Sequence, residues 1–73
     1  MRIEYDKGAD EPYLYLVPIE PGGAKKTYSC DPDEVGGMIN LDFDGEGRLI
    51  GIEVLDASHL LPERVLKGQQ ALA

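Results

Sequence analysis

The densest set of chemistry-bearing side chains lies between Asp42 and Glu53, and its spacing is that of a calcium loop. Asp42, Asp44 and Glu46 stand at loop positions one, three and five, with Gly47 at six, Leu49 at eight and Glu53 at twelve. Alternating carboxylates supply the oxygens a hard cation needs, and a glycine at six permits the sharp turn. Glu46 at position five and Ile50 at position nine depart from that pattern. The flanks weigh against it more heavily. An EF-hand needs amphipathic helices on both sides, whereas Ile39, Leu41 and Phe43, then Ile50, Ile52 and Val54, alternate with the period of a strand. Gly51 would also weaken a helix by about 1 kcal/mol. The segment reads as a β-hairpin, with no metal site.

Hairpin pairing gives the same carboxylates a different chemistry. With Glu46 and Gly47 as turn residues, Phe43 faces Ile50, Leu41 faces Ile52 and Ile39 faces Val54, so that all six share one buried face. Gly45 or Gly47 supplies the positive φ such a turn needs, and a bulged variant at Asp44-Gly45 fits as well. On the other face Asn40 lies opposite Glu53 and Asp42 opposite Gly51. Asp42 and Glu53 are then diagonal neighbours, roughly 5–8 Å apart, with Gly51 leaving open floor beside them. Such a pair could serve acid–base or metal-dependent catalysis, with Asp6 or Asp10 as helpers. No nucleophile–base pair or phosphate loop accompanies it. The simpler reading is a polar sheet face that meets solvent or another chain, with Asn40, Asp42, Gly51 and Glu53 as contact residues.

The remaining candidates are weaker. His59 is the sole histidine and sits beside Leu60-Leu61, where it packs or faces water more readily than it ligates. Cys30 has Asp31 as a neighbour, and a negative charge there disfavours a nucleophilic thiolate. Tyr13 and Tyr15 project from one strand face, and Tyr28 is expected to join them across the sheet. Tyrosines present an apolar body and a polar tip together, so Tyr13 and Tyr15 are candidate interface residues.

These residues must be positioned by 73 residues, enough for one domain. A chain this short buries only about 60% of the surface its unfolded form exposes. One cysteine excludes an internal disulfide, and no Cys/His cluster offers a zinc site. No cofactor is expected, and self-association, with a dimer favoured, is the expected further source of stability. Seven basic residues against fourteen acidic ones give a net charge of −7. That charge disfavours direct nucleic-acid binding and attracts a basic protein partner. The N-terminal residues carry no signal peptide and no apolar run approaches a membrane span, so a cytoplasmic location is expected.

Period-two alternation dominates the first 55 residues. Strands are expected at Arg2–Tyr5, Tyr13–Val17, Lys25–Cys30, Met38–Phe43 and Leu49–Leu55, the third at a sheet edge because of its lysines. Lys7–Glu11 and Pro21–Gly23 read as turns, and Asp31–Gly37 as a loop. Beyond Leu55 the period changes. Asp56 is placed to N-cap a helical segment over Ala57–Leu61, and Pro62 to open another turn that ends at Lys67-Gly68. Leu60, Leu61, Val65 and Leu66 would cover one face of the sheet. The expected fold is α+β, mostly β: an antiparallel meander of four to five strands with a short C-terminal helical segment. The domain spans 1–68, and 69–73 is a frayed tail.

Two stretches resemble domain-of-unknown-function family 2283, a family of small prokaryotic proteins. Tyr5-Asp6-Lys7-Gly8-Ala9-Asp10-Glu11-Pro12-Tyr13-Leu14 is similar to its N-terminal pattern, with Pro12 and Gly8 as departures. Leu41-Asp42-Phe43-Asp44 through Gly47-Arg48-Leu49-Ile50-Gly51-Ile52-Glu53-Val54-Leu55-Asp56-Ala57-Ser58 is similar to its longer C-terminal signature. The resemblance covers about Met1 to Leu60 and implies a compact β-rich domain with a short C-terminal helix. It also implies an antitoxin-like role beside a compact basic ribonuclease-type toxin. The leading expectation is a small acidic non-catalytic interaction module. The alternatives are an enzyme using Asp42 and Glu53, or a structural subunit of a homo-oligomer.

Overall fold

The computed structural model describes residues 1–5 and 8–67. Five strands form a single antiparallel sheet: β1 (Arg2–Glu4), β2 (Tyr13–Tyr15), β3 (Lys26–Ser29), β4 (Ile39–Phe43) and β5 (Leu49–Val54). Among the described residues three short helices accompany them: α1 (Pro32–Val35), α2 (Ala57–Leu60) and α3 (Glu63–Lys67). The α+β, mostly β class therefore stands. The expected frayed tail at 69–73 lies outside the described residues.

The spatial order is β1-β2-β5-β4-β3, so the simple meander needs one correction. β1–β2 and β3–β4–β5 follow chain order, but β2 pairs with β5 and not with β3. The physical reason is β5 itself. It is the longest and most apolar strand, and pairing on both sides leaves it no exposed edge. The link from Val17 to Ala24 must then cross three strand spacings, about 14 Å, well within the reach of its residues. Pro18, Pro21 and the left-handed Gly22 keep it out of the ladder. β3 is left at the edge, where its lysines had placed it.

The hairpin register agrees with the sequence arithmetic at four pairs, from Ile39↔Val54 to Asp42↔Gly51. It then slips, and Phe43 faces Leu49 in place of Ile50. The slip comes from the turn. Gly47 N–H donates to the Asp44 carbonyl at 3.1 Å, and Asp44 N–H donates to the Arg48 carbonyl at 2.9 Å, closing a three-residue loop. Such loops end in one left-handed residue that makes a bulge, and Gly47 takes it with φ +80°. Gly45 does not have a positive φ. The Asp44 carboxylate accepts the N–H groups of Glu46 and Arg48 at 2.9 and 3.0 Å, which holds its pKa below the usual carboxylate value.

α1 occupies the segment expected to be a loop. Asp31 caps it by accepting Asp33 N–H at 2.9 Å, Pro32 is preset for the first helical position, and Gly36 ends it in the left-handed region. α2 and α3 pack on the apolar face of the sheet, the cover expected from Leu60, Leu61, Val65 and Leu66. Val54, Ala57 and Leu66 form the buried cluster, with Tyr5, Ile39, Ile52, Leu60 and Leu61 packed around it. Val65 is half-buried. Asp56 occupies the N-cap position of α2 but makes no capping bond with its side chain. That role passes to Asp10, which lies 46 residues earlier in the chain.

Candidate functional site

The strand registers lay the polar face out as two rows. One runs Glu4, Tyr13, Glu53, Asn40, Ser29, and the other Arg2, Tyr15, Gly51, Asp42, Thr27. All six residues that sequence assigned to contact, Tyr13, Tyr15, Asn40, Asp42, Gly51 and Glu53, therefore share one face. The opposite face carries Ile3, Leu14, Ile52, Leu41 and Tyr28 in one row. Tyr28 thus does not join Tyr13 and Tyr15. It sits on the apolar side of the edge strand and remains 54% exposed.

Gly51 does not leave open floor, because the Tyr13 ring fills it. A Cβ at Gly51 would lie 2.1 Å from the Tyr13 hydroxyl and 2.6 Å from its Cε1 and Cζ. The phenol crosses the glycine and donates to Asp42 Oδ2, while the Thr27 hydroxyl donates to Asp42 Oδ1. Both oxygens of Asp42 are therefore engaged by hydroxyls from two different strands. Burial pushes the Tyr13 phenol pKa well up, and the hydrogen bond to Asp42 and the charges of Asp42 and Glu53 add to the shift. Tyr13 stands between the two carboxylates as a neutral donor.

The second carboxylate is also engaged. Asn40 Nδ2 donates to Glu53 Oε1 at 3.0 Å, directly across the hairpin. At the β1 edge the Tyr15 hydroxyl donates to Glu4 at 3.1 Å, which raises the Tyr15 pKa, and Arg2 donates to the same carboxylate at 2.7 Å. The Arg2 guanidinium lies 4.1 Å from the Tyr15 ring centre, and the Tyr13 and Tyr15 rings are 4.7 Å apart. Among the described residues no buried side-chain polar atom lacks a hydrogen-bond partner. None of the described residues forms a group of three or more His, Cys, Asp or Glu suited to hold a metal ion. The arrangement offers a half-buried surface of tyrosine rings, one amide and carboxylates whose mutual hydrogen bonds fix their orientation.

The proposed helpers are not assembled with this pair. Asp10 belongs to the helix-bearing end of the molecule. Its carboxylate accepts from Ser58 N–H at 3.0 and 3.2 Å, from Ser58 Oγ at 2.8 Å and from the Tyr5 hydroxyl at 3.0 Å. Its carbonyl accepts Ala57 N–H at 3.1 Å. These bonds, led by the Ser58 hydroxyl, hold its pKa below the usual value. Asp10 is an N-cap supplied from a distant turn, reached through a left-handed backbone at φ +55°. Asp6 lies outside the described residues. His59 is exposed on α2, and Cys30 is a free, half-buried thiol whose N–H donates to Ile39.

Sequence reasoning missed Thr27 and Glu4 as members of the polar face. The missing datum was topology. Once β2 is known to flank β5, Tyr13 must lie against Gly51, and once β3 is known to flank β4, Thr27 must lie opposite Asp42.

The family model for proteins of unknown function DUF2283 matches residues 2–58. The chain belongs to this family. The matched span contains every residue of the polar face and the Asp10–Ser58 cap, so a DUF2283 domain here comprises the whole sheet and the start of α2. No curated protein and no solved structure gives a significant match. No helix among the described residues is long and apolar enough to cross a membrane.

Proposed function

We propose that this protein is a small, non-catalytic interaction module that docks a basic protein through the polar face of its sheet. The observation that supports this most directly is the composition of that face. Asp42, Glu53 and Glu4 stand on rigid strands beside Tyr13 and Tyr15, while α2 and α3 pack on the other side. Orientations already fixed by hydrogen bonds lose little entropy on association, and tyrosine rings add contact area at low entropic cost. Within the two rows Arg2 is the one cation beside the three carboxylates, and the whole chain carries −7. A partner with a basic surface is therefore attracted over distance as well as on contact.

A basic ribonuclease-type toxin in the cytoplasm, masked at its active surface, is the partner class this reading favours. The test is a pull-down from the native host at low ionic strength, with wild-type protein beside Glu53→Lys and Asp42→Asn. A basic protein retained by wild type, released by salt and lost with Glu53→Lys is the expected result. Retention indifferent to both substitutions, or a clean absence of any basic protein, would refute the docking face. Calorimetric titration with calcium, magnesium and manganese covers the rival use of the Asp42–Glu53 pair. Heat that disappears in Asp42→Asn would move the assignment to that pair.

A further inference from the structure

The two edges of the sheet are unequal. β1 is three residues long, and the Arg2↔Tyr15 and Glu4↔Tyr13 pairing leaves Ile3, itself buried, as its middle residue. β3 has four residues, all of them exposed, and Tyr28 presents a large ring beside Leu41. Cys30 N–H donates to Ile39, which with the Tyr28↔Leu41 register turns the Tyr28 and Cys30 backbone groups toward β4. Thr27 and Ser29 alternate with these, so their N–H and C=O groups point away from the sheet.

Charge along this edge is polarised. Lys25 and Lys26 stand at the start of β3, and Asp31, Asp33 and Glu34 follow its end. A strand with a basic start and an acidic end is its own complement when it runs antiparallel to a second copy of itself.

We propose that β3 is a homodimer interface, in which a second copy pairs antiparallel about a twofold axis through Tyr28. In this register Thr27 of each chain faces Ser29 of the other, and each such pair exchanges backbone hydrogen bonds in both directions. Tyr28 meets Tyr28 on the apolar side, where each ring covers apolar surface that is exposed in the monomer. The Lys25-Lys26 end of one copy lies along the Asp31 end of the other, twice by symmetry. A register centred on Lys26 sets like charges opposite one another and is disfavoured, so the lysines select one pairing. The contact is self-complementary and closes as a dimer. It joins the two sheets edge to edge with their polar faces on the same side. The proposal is independent of what that polar face binds.

Sedimentation velocity on the full chain over a concentration series tests the interface. Wild type is expected as a dimer that weakens with added salt. Ser29→Pro removes an outward-pointing N–H without touching the ladder to β4, and Tyr28→Lys puts two like charges on the twofold axis. Both are expected to be monomeric, with circular dichroism confirming the fold; if Ser29→Pro does not fold, Tyr28→Lys carries the test alone. In a Cys30→Ser background, Tyr28→Cys is expected to form an intermolecular disulfide under mild oxidation, because this kind of pair sets Cα atoms about 4.5 Å apart. A wild-type monomer throughout the series, a dimer that persists in folded Tyr28→Lys, or absence of the crosslink would overturn the proposal.

Discussion

On one side of the sheet Ile3, Ile50 and Val54, with Ala57 and Leu66 from the helices, lose almost all contact with water. On the other side no charged side chain among the described residues is buried, and Arg2, Glu4, Asn40, Asp42 and Glu53 are answered by neighbours within the same face. The same five strands thus present a face held by area removed from water and a face held by matched donors and acceptors. The first kind of interaction is non-directional and large per residue. The second is directional, and its net contribution per bond is about 1 kcal/mol. The apolar face therefore sets how stable the domain is and, through its alternation, the register of its strands, whereas the polar face sets the shape and charge offered to a partner.

The largest loss of stability is expected at the apolar face. Leu66 is the α3 residue that completes the buried cluster with Val54 and Ala57. Leu66→Ala should cost about 2–5 kcal/mol, a large fraction of the stability available to so small a domain. Urea unfolding followed by circular dichroism is the measurement. A loss below about 1 kcal/mol would mean that the helical segment is not what closes the core.

Gly51→Ala probes the polar face at its tightest point and makes a sharper test, because its sign depends on one neighbour. With Tyr13 in place, the new methyl group collides with the ring and displaces it from Asp42, at an expected cost of about 1–3 kcal/mol. In a Tyr13→Ala background the collision is gone. The same substitution should then be neutral or should stabilise by about 0.5–1 kcal/mol, since alanine loses less freedom than glycine in a strand. A double-mutant cycle reads the coupling directly. Equal costs in the two backgrounds would show that Tyr13 does not rest on Gly51.

How much of this was legible in the sequence depends on how local the cause was. The hairpin register followed from alternation at Ile39, Leu41, Ile52 and Val54, and it put Asp42 opposite Gly51 correctly. The bulge at Phe43 did not follow, because it depends on which of two glycines takes the left-handed turn position. α1 was legible and overlooked: Asp31-Pro32-Asp33-Glu34 followed by Gly36 is a cap, a first-turn proline, acidic first-turn residues and a left-handed end in order. Tyr13 over Gly51 and Asp10 on Ser58 join residues 38 and 48 positions apart. No period in the sequence encodes either contact, because both follow from β2 crossing to flank β5. The face assignments within each strand were local, whereas the order of the strands was a competition among all five.

Asp10 lies at the seam between the two faces, where a single carboxylate caps the first of the helices that cover the apolar side. Its pKa is depressed in the folded state, so its contribution is fully present above the ordinary value near 3.8 and is lost as pH falls through the lower folded value. Wild type should therefore lose thermal stability on acidification through that window. Asp10→Asn should melt lower than wild type at neutral pH and show a shallower acid limb. Parallel acid limbs in the two proteins would place the acid sensitivity elsewhere, with Asp44 next in line because its carboxylate is depressed in the same way.

The smallest effect is expected at the exposed border of the polar face, where Arg2 meets Glu4 and Tyr15. The ion pair is 2.7 Å long, but its side chains are 59% and 55% exposed. Water and salt screen such a pair, and holding two long side chains in one geometry costs entropy, so pairs of this kind contribute about 0–1 kcal/mol. The guanidinium over the Tyr15 ring adds a similar small amount at an exposed site. Arg2→Ala should lower the urea midpoint only slightly at low salt and by less at high salt, with the unfolding slope unchanged. It also removes the one positive charge in the two rows, so the face becomes more acidic while its strands keep their register. A basic partner should then associate faster with Arg2→Ala than with wild type at low ionic strength. A large stability loss would instead make this border part of the scaffold, and an unchanged association rate would detach partner binding from the charge of the face.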